Sequence, residues 1–350
     1  MHASNLPEIV LFLDASRVGG IETHVIGLAG ALTRAGAACE VALWRTPGPG
    51  ALRSRLDAAG IRWSGLDGIG GLVERLRRRP MLLHTHGYKA GIVGRLAARI
   101  AGVPVVSSFH NGDLGEGRVR LYTALDRLTA GLAPSIAVAS TIARSLPAPA
   151  AVVPNFIDVP PAPPPLSLEP RLVLFAGRMV ADKGADLFCA LAERRPKLRF
   201  VACGDGPDAP ALMARHGARV SFLGHVADLK PFWRDTAVLV MPSRREGLPM
   251  VALEAMAHGV PVAAFAVGDL PEVVEHDSTG WLAEPGDMDA LDAAIASAAG
   301  LSAARRASIV VAARSRVLRR FSTQAVLPQL LAVYRGALVP AAAEPALALP

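Results

Sequence analysis

Short apolar runs alternate with helix-length amphipathic patterns along this 350-residue chain, and this alternation constrains the fold more than any single motif does. Nearly continuous apolar runs with helical patterns between them indicate parallel sheets covered on both faces. Strands are predicted over residues 9–13, 39–43, 82–84, 105–108, 136–139, 172–175, 199–202, 220–222, 238–241 and 262–264. Helices are predicted over residues 22–35, 90–100, 185–194, 207–216, 251–258 and 288–299. The sequence therefore predicts two doubly wound α/β domains.

A proline-rich stretch, VPPAPPP at residues 159–165, separates the two halves. Such a stretch favours extended polyproline geometry and acts as a semi-rigid linker. We therefore predict an N-terminal domain over 1–160, a C-terminal domain over 166–320, a last helix over 321–338 that can cross back onto the first domain, and a disordered tail over 339–350. Ligands of such folds collect in the cleft at the carboxyl ends of the strands.

The segment MPSRREGLPMVALEAMAHGVP, residues 241–261, holds two carboxylates separated by seven residues, Glu246 and Glu254. We predict Glu246 in a loop and Glu254 on the helix that follows, with Pro249 in the first helical turn, where its missing N–H costs nothing. The free N–H groups and the positive dipole end of such a helix suit an anion such as a diphosphate. Ionised carboxylates only accept hydrogen bonds, so they suit sugar and ribose hydroxyls.

Two cations, Arg178 and Lys183, lie five residues apart in GRMVADKG (177–184), directly after the first predicted strand of the second half. Both can reach one diphosphate, because arginine supplies a bidentate fork and lysine a compact charge. The alternative is that they are two surface cations on a loop. Their position and the flanking glycines favour a phosphate site in the same cleft as Glu246 and Glu254.

In the first half, the paired glycines Gly19 and Gly20 precede a predicted helix. They let backbone approach a ligand and admit positive φ, although a glycine pair also fits a mere tight turn and is not the G-x-G-x-x-G fingerprint. His110 follows a predicted strand and can donate or accept a hydrogen bond with a sugar hydroxyl or phosphate. A lone histidine is more often structural, and His84 and His86 compete for the same role.

Three further turns are weaker candidates for ligand contacts. Gly204, in GDGP, either approaches a ligand or only ends a strand. His225, in GHV, lies where backbone groups can meet a base edge. For the turn GDLPE at 268–272, a structural role and a ligand contact are equally consistent with the sequence.

Several classes of function lack their motifs in this chain. There is no P-loop, no Gly-x-Ser-x-Gly elbow and no acidic or histidine spacing typical of a metal site, so we predict no metal and no cofactor. The cysteines Cys39, Cys189 and Cys203 are predicted to be buried in a reducing compartment. Without a signal-peptide pattern or an apolar stretch of about 20 residues, we expect a cytoplasmic protein, soluble or peripheral to the membrane.

The formal net charge of +7 is concentrated in the first half, where residues 1–160 hold 17 Lys and Arg against 11 Asp and Glu. Arginine clusters lie at residues 75–79 and at Arg118 and Arg120. This excess suits an anionic membrane surface, or it is a solvated face. No nucleic-acid motif accompanies it and aromatic residues make up only 5% of the chain, so nucleic acid is not an expected partner.

Taken together, these residues make the sequence resemble a retaining glycosyltransferase of family four. Such enzymes have the GT-B fold, in which two Rossmann-like domains face each other across a cleft. The Glu-x7-Glu segment with its EAMAHGVPV continuation is the most specific part of the resemblance, and the N-terminal glycine pair the least. The matching motifs are GGIETH (19–24), FHNG (109–112), PNFID (154–158), AGRMVADKG (176–184), CGDGP (203–207), FLGHV (222–226), PSRREGLPMVALEAMAHGVPV (242–262), GDLPEVV (268–274) and WLAEPGD (281–287).

The resemblance implies that a nucleotide-diphospho-sugar, of the UDP or GDP type, binds mostly to the C-terminal domain and the acceptor to the N-terminal domain. Arg178 and Lys183 would hold the diphosphate. Glu254 would accept hydrogen bonds from the ribose hydroxyls, and Glu246 from those of the donor sugar. Gly19 and Gly20 would close over the phosphate from the N-terminal domain, and His110 would lie near the sugar. Backbone amides around Gly247 and Leu248 would contact the sugar or the phosphate. Gly204 and His225 are the remaining implied contacts to the donor.

The implied reaction retains the anomeric configuration without a metal or a covalent enzyme nucleophile. The two cations and the helix start would stabilise the departing diphosphate. The acceptor would be a glycan or a lipid-linked glycan in cell-envelope or exopolysaccharide synthesis. Two alternatives are a catalytically inactive nucleotide-sugar-binding subunit of a polysaccharide assembly complex and a nucleotide-sugar epimerase. The form EGLPM and Asp269 depart from common family patterns, which affects the choice of donor sugar more than the reaction.

Overall fold

A computed structural model describes residues 3–14, 19–44, 51–110, 117–162, 167 and 170–339. The chain divides into two compact units. The first comprises Met1–Val138, Ile142–Val153 and Leu327–Pro350, and the second comprises Ala139–Thr141 and Pro154–Val326. The tail that we predict to be disordered lies almost entirely outside the described residues, as does part of the proline-rich linker.

The first unit contains a seven-stranded parallel sheet in the order β3-β2-β1-β4-β5-β6-β7. Its strands are β1 (Glu8–Leu13), β2 (Cys39–Trp44), β3 (Trp63–Leu66), β4 (Met81–His86), β5 (Val105–Phe109), β6 (Ser135–Ala137) and β7 (Ala150–Val152). The connecting helices are α1 (Gly20–Arg34), α2 (Ala51–Ala58), α3 (Gly68–Arg77), α4 (Tyr88–Ala101), α5 (Gly117–Leu128) and α6 (Ser140–Ser145).

The second unit contains a six-stranded parallel sheet in the order β10-β9-β8-β11-β12-β13. Its strands are β8 (Leu172–Ala176), β9 (Arg199–Cys203), β10 (Val220–Phe222), β11 (Thr236–Met241), β12 (Val262–Phe265) and β13 (Gly280–Ala283). Its helices are α7 (Ala185–Arg194), α8 (Ala209–His216), α9 (Lys230–Trp233), α10 (Met250–Ala257), α11 (Leu270–Val273), α12 (Met288–Ala299) and α13 (Ala303–Arg320). The last helix, α14 (Thr323–Leu338), begins in this unit and from Leu327 belongs to the first.

The central strands explain why these sheets form. Every side chain of β1 and β11 is buried, as expected of strands covered by helices on both faces. Glu8 is the one charged residue on β1, and it is neutralised by Arg75 at 3.1 Å and Arg79 at 2.7 Å. Part of the arginine cluster at residues 75–79 therefore stabilises the sheet.

The strand order of each sheet fixes where a site can form. The order reverses between β1 and β4 in the first unit and between β8 and β11 in the second. In open parallel sheets, ligands bind outside the carboxyl ends of the strands at this switch point. The loops that follow these four strands are therefore the places to look for functional side chains.

The predicted fold class is confirmed, and all ten predicted strands overlap observed ones. All three cysteines are free and buried, as predicted. Within the described part of the chain, no single helix is long and apolar enough to cross a membrane; α12 and α13, bent by 112° to each other, meet that test of length and composition only as a pair.

Candidate active site

Two predicted site residues of the second unit form an ion pair at its switch point. Lys183, in the loop after β8, places Nζ 2.7 Å from Oε2 of Glu246, in the loop after β11. The hydroxyl of Ser243 donates to Oε1 of the same carboxylate at 2.8 Å. The Glu246 side chain is 5% exposed and that of Lys183 is 32% exposed. A carboxylate so deeply buried needs such partners, and the lysine retains donors that face solvent.

The two loops are fastened to each other by further arginine–aspartate pairs. Arg244 makes a bidentate contact with Asp186, at 2.8 and 2.7 Å. Arg245 contacts Asp182 at 2.8 and 2.9 Å. The Arg244 amide also donates to the Asp182 carbonyl at 2.8 Å. These bonds hold the loops in one register and so position the charged groups at the switch point.

Two glycines allow the loops to approach so closely. Gly184 has φ +68, and a Cβ there would lie 2.0 Å from the Pro242 carbonyl oxygen. Gly268 has φ +58, and its Cβ would lie 2.2 Å from the Glu246 carbonyl oxygen. Both positions require glycine, for conformation and for space. Gly184 and Gly268 therefore contribute to the site by letting its loops pack closely against each other.

Gly204, predicted as a ligand contact, has a packing role of the same kind. Its φ is +142, and a Cβ would lie 1.8 Å from the Gly177 carbonyl oxygen. Its amide donates to the Gly224 carbonyl at 2.7 Å. The residue therefore ties together the loops after β8, β9 and β10. His225, which follows Gly224, is exposed.

The start of α10 leaves backbone donors available. Pro249 is the N-cap and so lies just before the helix, not in its first turn as predicted, and no side chain caps the helix. The Gly247 and Leu248 carbonyls accept hydrogen bonds from the Asp269 amide at 3.0 Å and from Asn155 Nδ2 at 2.7 Å. No acceptor for the Gly247 or Leu248 amide lies among the described residues. Such amides at a positive helix end can bind an anion.

The two other predicted residues of this unit lie on the same elements. Arg178 is exposed in the loop after β8, and its side chain makes no ion pair or hydrogen bond with the described residues. Glu254 is half-buried in the second turn of α10, and its carbonyl oxygen lies 2.8 Å from His258 Nδ1. Asp269, which departs from the family pattern, accepts hydrogen bonds from the Ser140 amide at 2.6 Å and from Thr141 Oγ1 at 2.7 Å.

In the first unit, the glycine pair differs from the prediction. Gly19 is the N-cap of α1 with φ −140, and Gly20 is its first residue, so neither uses positive φ. The Gly19 amide donates to Oε2 of Glu22 at 2.8 Å, as part of a capping box. Burial raises the pKa of the Glu22 carboxyl, with the Glu22 and Gly19 amides opposing the shift. The Gly19 donor is thus already occupied by a side chain.

His110 does not stand alone, because the first unit gathers four imidazoles. His84 and His86 come from β4, His24 from α1, and His110 follows β5. Nδ1 of His86 lies 3.1 Å from Nε2 of His110, and the rings of His24 and His110 are 5.1 Å apart. His24 was missed as a site residue and His86 was named only as a competitor of His110, since it is the strand order and α1 that bring the three together.

His84 has a structural position within this cluster. Its Nδ1 lies 2.7 Å from the Tyr334 hydroxyl and its Nε2 lies 2.8 Å from the Ser108 hydroxyl. Both ring nitrogens of this buried residue therefore take part in hydrogen bonds with protein side chains. His86 is also buried, but its Nε2 has no hydrogen-bond partner among the described residues. His110 is half-buried and lines a small cavity with Tyr88.

All four imidazoles are neutral at pH 7. Burial lowers the pKa of His24 to about 4 and that of His84 to about 3, in the latter case with repulsion from His24. Burial also lowers the pKa of His86 and His110 well below the usual range, with repulsion from neighbouring imidazoles. Neutral imidazole carries one donor and one acceptor, which suits a hydroxyl.

Three of these residues also meet the distance requirement for a metal ion. One ring nitrogen from each of His24, His86 and His110 lies within 4.8 Å of the others. The sequence spacing gave no sign of this group, because its ligands come from three separate elements. The facing nitrogens of His86 and His110 can also be joined by an N–H···N hydrogen bond, with one ring as donor and the other as acceptor.

Comparison with known proteins matches both halves of the chain. Residues 18–160 match the model of the family described as Glycosyltransferase Family 4, and residues 170–299 that of Glycosyl transferases group 1. The chain is 30% identical to 2-deoxystreptamine N-acetyl-D-glucosaminyltransferase of Streptomyces fradiae, over 88% of this chain and 89% of that protein. It is also 30% identical to alpha-maltose-1-phosphate synthase of Mycolicibacterium smegmatis, over 73% and 78%.

Solved structures share the fold at lower identity. Anabaena Alr3699/HepE in complex with UDP-glucose has a TM-score of 0.81 at 21% identity, over 94% of this chain and all of that one. Sucrose-phosphate synthase of Thermosynechococcus elongatus has a TM-score of 0.76 at 23% identity, over 94% and 98%. These neighbours place the two parallel-sheet units in the GT-B fold. The chain belongs to the family 4, group 1 glycosyltransferases.

Proposed function

We propose that this glycosyltransferase moves a sugar from a nucleotide-diphospho-sugar, of the UDP or GDP type, to a glycan or lipid-linked glycan with retention of anomeric configuration. The observation that carries the proposal is the Lys183–Glu246 pair at 2.7 Å. It joins a cation suited to the diphosphate with a carboxylate suited to sugar hydroxyls at the switch point of the second sheet. UDP donors are the first to test, because Alr3699/HepE binds UDP-glucose.

The two partners of the ion pair would bind different parts of the donor, Lys183 the diphosphate and Glu246 the sugar. One N–H of the Lys183 ammonium is directed at Glu246, which leaves two for phosphate oxygens. Arg178, in the same loop, would supply a second cation. The Gly247 and Leu248 amides, before the uncapped start of α10, would complete the anion site. The Lys183 ammonium and the two amides are already held in place before the donor arrives, so little reorganisation of these groups opposes binding.

The remaining assignments follow the family resemblance. Glu254 would accept hydrogen bonds from the ribose hydroxyls. Gly204 and His225 would lie toward the nucleoside, Gly204 chiefly as the residue that lets its loop pack. In the first unit, His110 is the candidate contact for the sugar and the Gly19–Gly20 amides are the candidate contacts for phosphate. The neutral state of His110 fits a hydrogen bond to an uncharged hydroxyl.

The proposed chemistry breaks the anomeric C–O bond, with its electrons passing to the diphosphate. Arg178, Lys183 and the free amides stabilise the charge that develops there. The acceptor oxygen attacks the same face of the sugar, and its proton passes to the departing phosphate oxygen. Glu246 acts as a hydroxyl acceptor, since Lys183 and Ser243 already hold its carboxylate in place. The protein would thus need neither a covalent nucleophile nor a metal.

The inactive-subunit and epimerase alternatives are separated by the products formed. Arg178, Lys183, Glu246 and Glu254 are all present, which favours a working transferase. Incubation with a donor alone should yield slow hydrolysis to nucleoside diphosphate and free sugar. An inactive subunit would bind donor and release nothing, and an epimerase would return a nucleotide-sugar of altered configuration.

The test begins with a panel of UDP-, GDP- and ADP-sugars in thermal-shift assays. A true donor should raise Tm by mass action, because it binds only the folded state. The product of the best donor with glycan or lipid-linked acceptors is then examined by NMR. An α-linked donor should give an α-linked product; inversion to the β anomer would contradict the proposed mechanism. A role in cytoplasmic synthesis of envelope or exopolysaccharide glycans follows only if such acceptors react.

A further inference from the structure

Helix α5 presents leucines to solvent on the side that faces away from the first unit's core. Leu121 is 62% exposed, Leu125 39%, Leu128 77% and Leu132, in the single helical turn that follows, 50%. The spacing of four and three residues places Leu121, Leu125 and Leu128 along one side of α5, and Leu132 follows in the next turn of the chain. Scattered surface leucines need no explanation, but a continuous row of them indicates an interaction surface.

The opposite side of α5 is fixed to the core, so this orientation is built into the fold. Asp126 is buried and accepts a 2.6 Å bond from Arg95 of α4, whose side chain is fully buried. Arg95 also donates to the Ser107 hydroxyl at 3.0 Å and to the Thr129 hydroxyl at 2.7 Å. Rotating α5 to hide its leucines would expose Asp126 and leave the Arg95 charge buried and unpaired, which is strongly unfavourable.

The charge of α5 completes the pattern. The helix carries Arg118, Arg120 and Arg127, and its single acidic residue, Asp126, is held inside by Arg95. Along α5 itself, the exposed surface is therefore cationic and apolar without a carboxylate. The arginines at 75 and 79 differ, because both form ion pairs with Glu8.

We propose that this α5 face, defined by Leu121, Leu125, Leu128 and Leu132 with Arg118 and Arg120, docks the protein on an anionic lipid surface. A short helix lying in the plane of the interface buries its leucines among the acyl chains and places its arginines among the headgroups. Protein interfaces rely more on aromatic and methionine anchors at their centre. The aromatic residue of α5, Tyr122, lies outside the leucine row and is stacked on Tyr88 of α4 at 6.0 Å. The docking is separate from sugar transfer and would hold whichever donor and acceptor the protein uses.

The experiment is flotation of the full-length protein with vesicles of phosphatidylcholine alone and with 30% phosphatidylglycerol added, in about 0.1 M salt. The protein should float with the anionic vesicles only. L121Q/L128Q should lose most of this binding. R118Q/R120Q should weaken it roughly 25-fold, because one arginine near such a surface contributes about fivefold, and should flatten its salt dependence.

Matched controls come from the second unit. Val311 and Leu318 are exposed apolar residues of α13, and Arg215 is an exposed cation of α8. V311Q/L318Q and R215Q should bind vesicles as the wild type does. Since all these changes lie on the surface, Tm and donor-induced thermal shifts should be unchanged in every variant, which separates loss of docking from loss of folding or of donor binding.

Two results would overturn the proposal. One is failure of the wild type to float with the anionic vesicles, or vesicle binding that L121Q/L128Q leaves intact or that ignores phosphatidylglycerol. The other is a dimer in analytical ultracentrifugation that L121Q/L128Q dissociates, with no flotation of the wild type; a second copy of the chain would then cover the face.

Discussion

Lys183 and Glu246 are 63 residues apart in sequence, yet their charged atoms lie 2.7 Å apart, because β8 and β11 are neighbours at the point where the strand order reverses. The pair places a positive and a negative group side by side where a phosphate and a sugar hydroxyl would each need one. Removing Lys183 therefore has two separable effects, one on the ligand and one on the buried Glu246 carboxylate that remains.

We expect Lys183→Ala to lower turnover by roughly 100-fold or more, the loss typical of a single donor to a developing anion. It should also destabilise the fold, because the buried Glu246 carboxylate loses its main counter-charge. The double variant K183A/E246Q should recover the free energy of unfolding but not the activity. Urea unfolding and kcat with the best donor measure the two effects. Near-normal turnover of a folded K183A protein would remove Lys183 from the diphosphate site.

The histidine cluster should make stability depend on pH. In the unfolded chain each histidine titrates near 6.5, whereas burial holds the pKa of folded His24 at about 4 and that of His84 at about 3. Between those values and 6.5 the unfolded state binds more protons, so the free energy of unfolding falls as pH falls through this window. Each histidine contributes up to about 1.4 kcal/mol per pH unit.

Urea unfolding at pH 7.5, 6.0 and 5.0 measures this slope. His84→Gln should reduce it, because one titrating group is lost, at some cost in stability at pH 7.5 from the bonds to Tyr334 and Ser108. His225→Gln is the matched control, since His225 is exposed, and should leave the slope unchanged. A wild-type slope of zero below pH 6.5 would show that the cluster is charged or solvated in solution.

The strands that sequence reasoning missed are β3, β7 and β13, which are all edge strands. Central strands are covered on both faces and read as continuous apolar runs, so pattern alone finds them. Two of the missed strands are less buried than the central ones: β3 (WSGL) shows little burial before Leu66, and β7 (AAV) is mostly exposed. Their existence depends on a neighbouring strand that offers hydrogen bonds, and this information is not local.

The sequence could predict single residues of the candidate site but not the contacts between them. Strand-to-helix loops pointed to Lys183 and Glu246 separately, because side chains after parallel strands share one edge of the sheet. Their direct pairing required the strand order and the close packing at Gly184. The grouping of His24 and His86 with His110 likewise required α1 and β4 to be placed beside β5.

The glycines that pack the loops allow a sharp comparison between two positions of similar conformation. Gly184 has φ +68 and Gly224 has φ +64, but a Cβ meets the Pro242 carbonyl oxygen at 2.0 Å in the first case and nothing within 4 Å in the second. Gly224→Ala should cost only the backbone strain, about 1–2 kcal/mol. Gly184→Ala should cost about 2 kcal/mol more and lower activity, since the loop of Lys183 must move. Equal losses of unfolding free energy would show that the loops relax freely.

Glu22 offers a test of whether the Gly19 amide contacts the donor. In the present structure that amide donates to the Glu22 carboxylate at 2.8 Å, so a phosphate at Gly19 would face both a competing acceptor and a negative charge. Glu22→Gln keeps an oxygen for the cap and removes the charge. We therefore expect the free energy of unfolding to change by less than about 1 kcal/mol and donor affinity to rise about two- to fivefold.

Isothermal titration of the best donor into E22Q measures this affinity, and Glu193→Gln on α7 serves as the control, since it removes a charge from an exposed helix position outside the site. The gain should shrink as salt is raised, because the removed repulsion acts through solvent. Unchanged affinity for E22Q at low salt would mean that the phosphate stays away from the start of α1. The glycine pair would then serve only to begin the helix, and the anion would depend on the Lys183 loop and the free amides before α10.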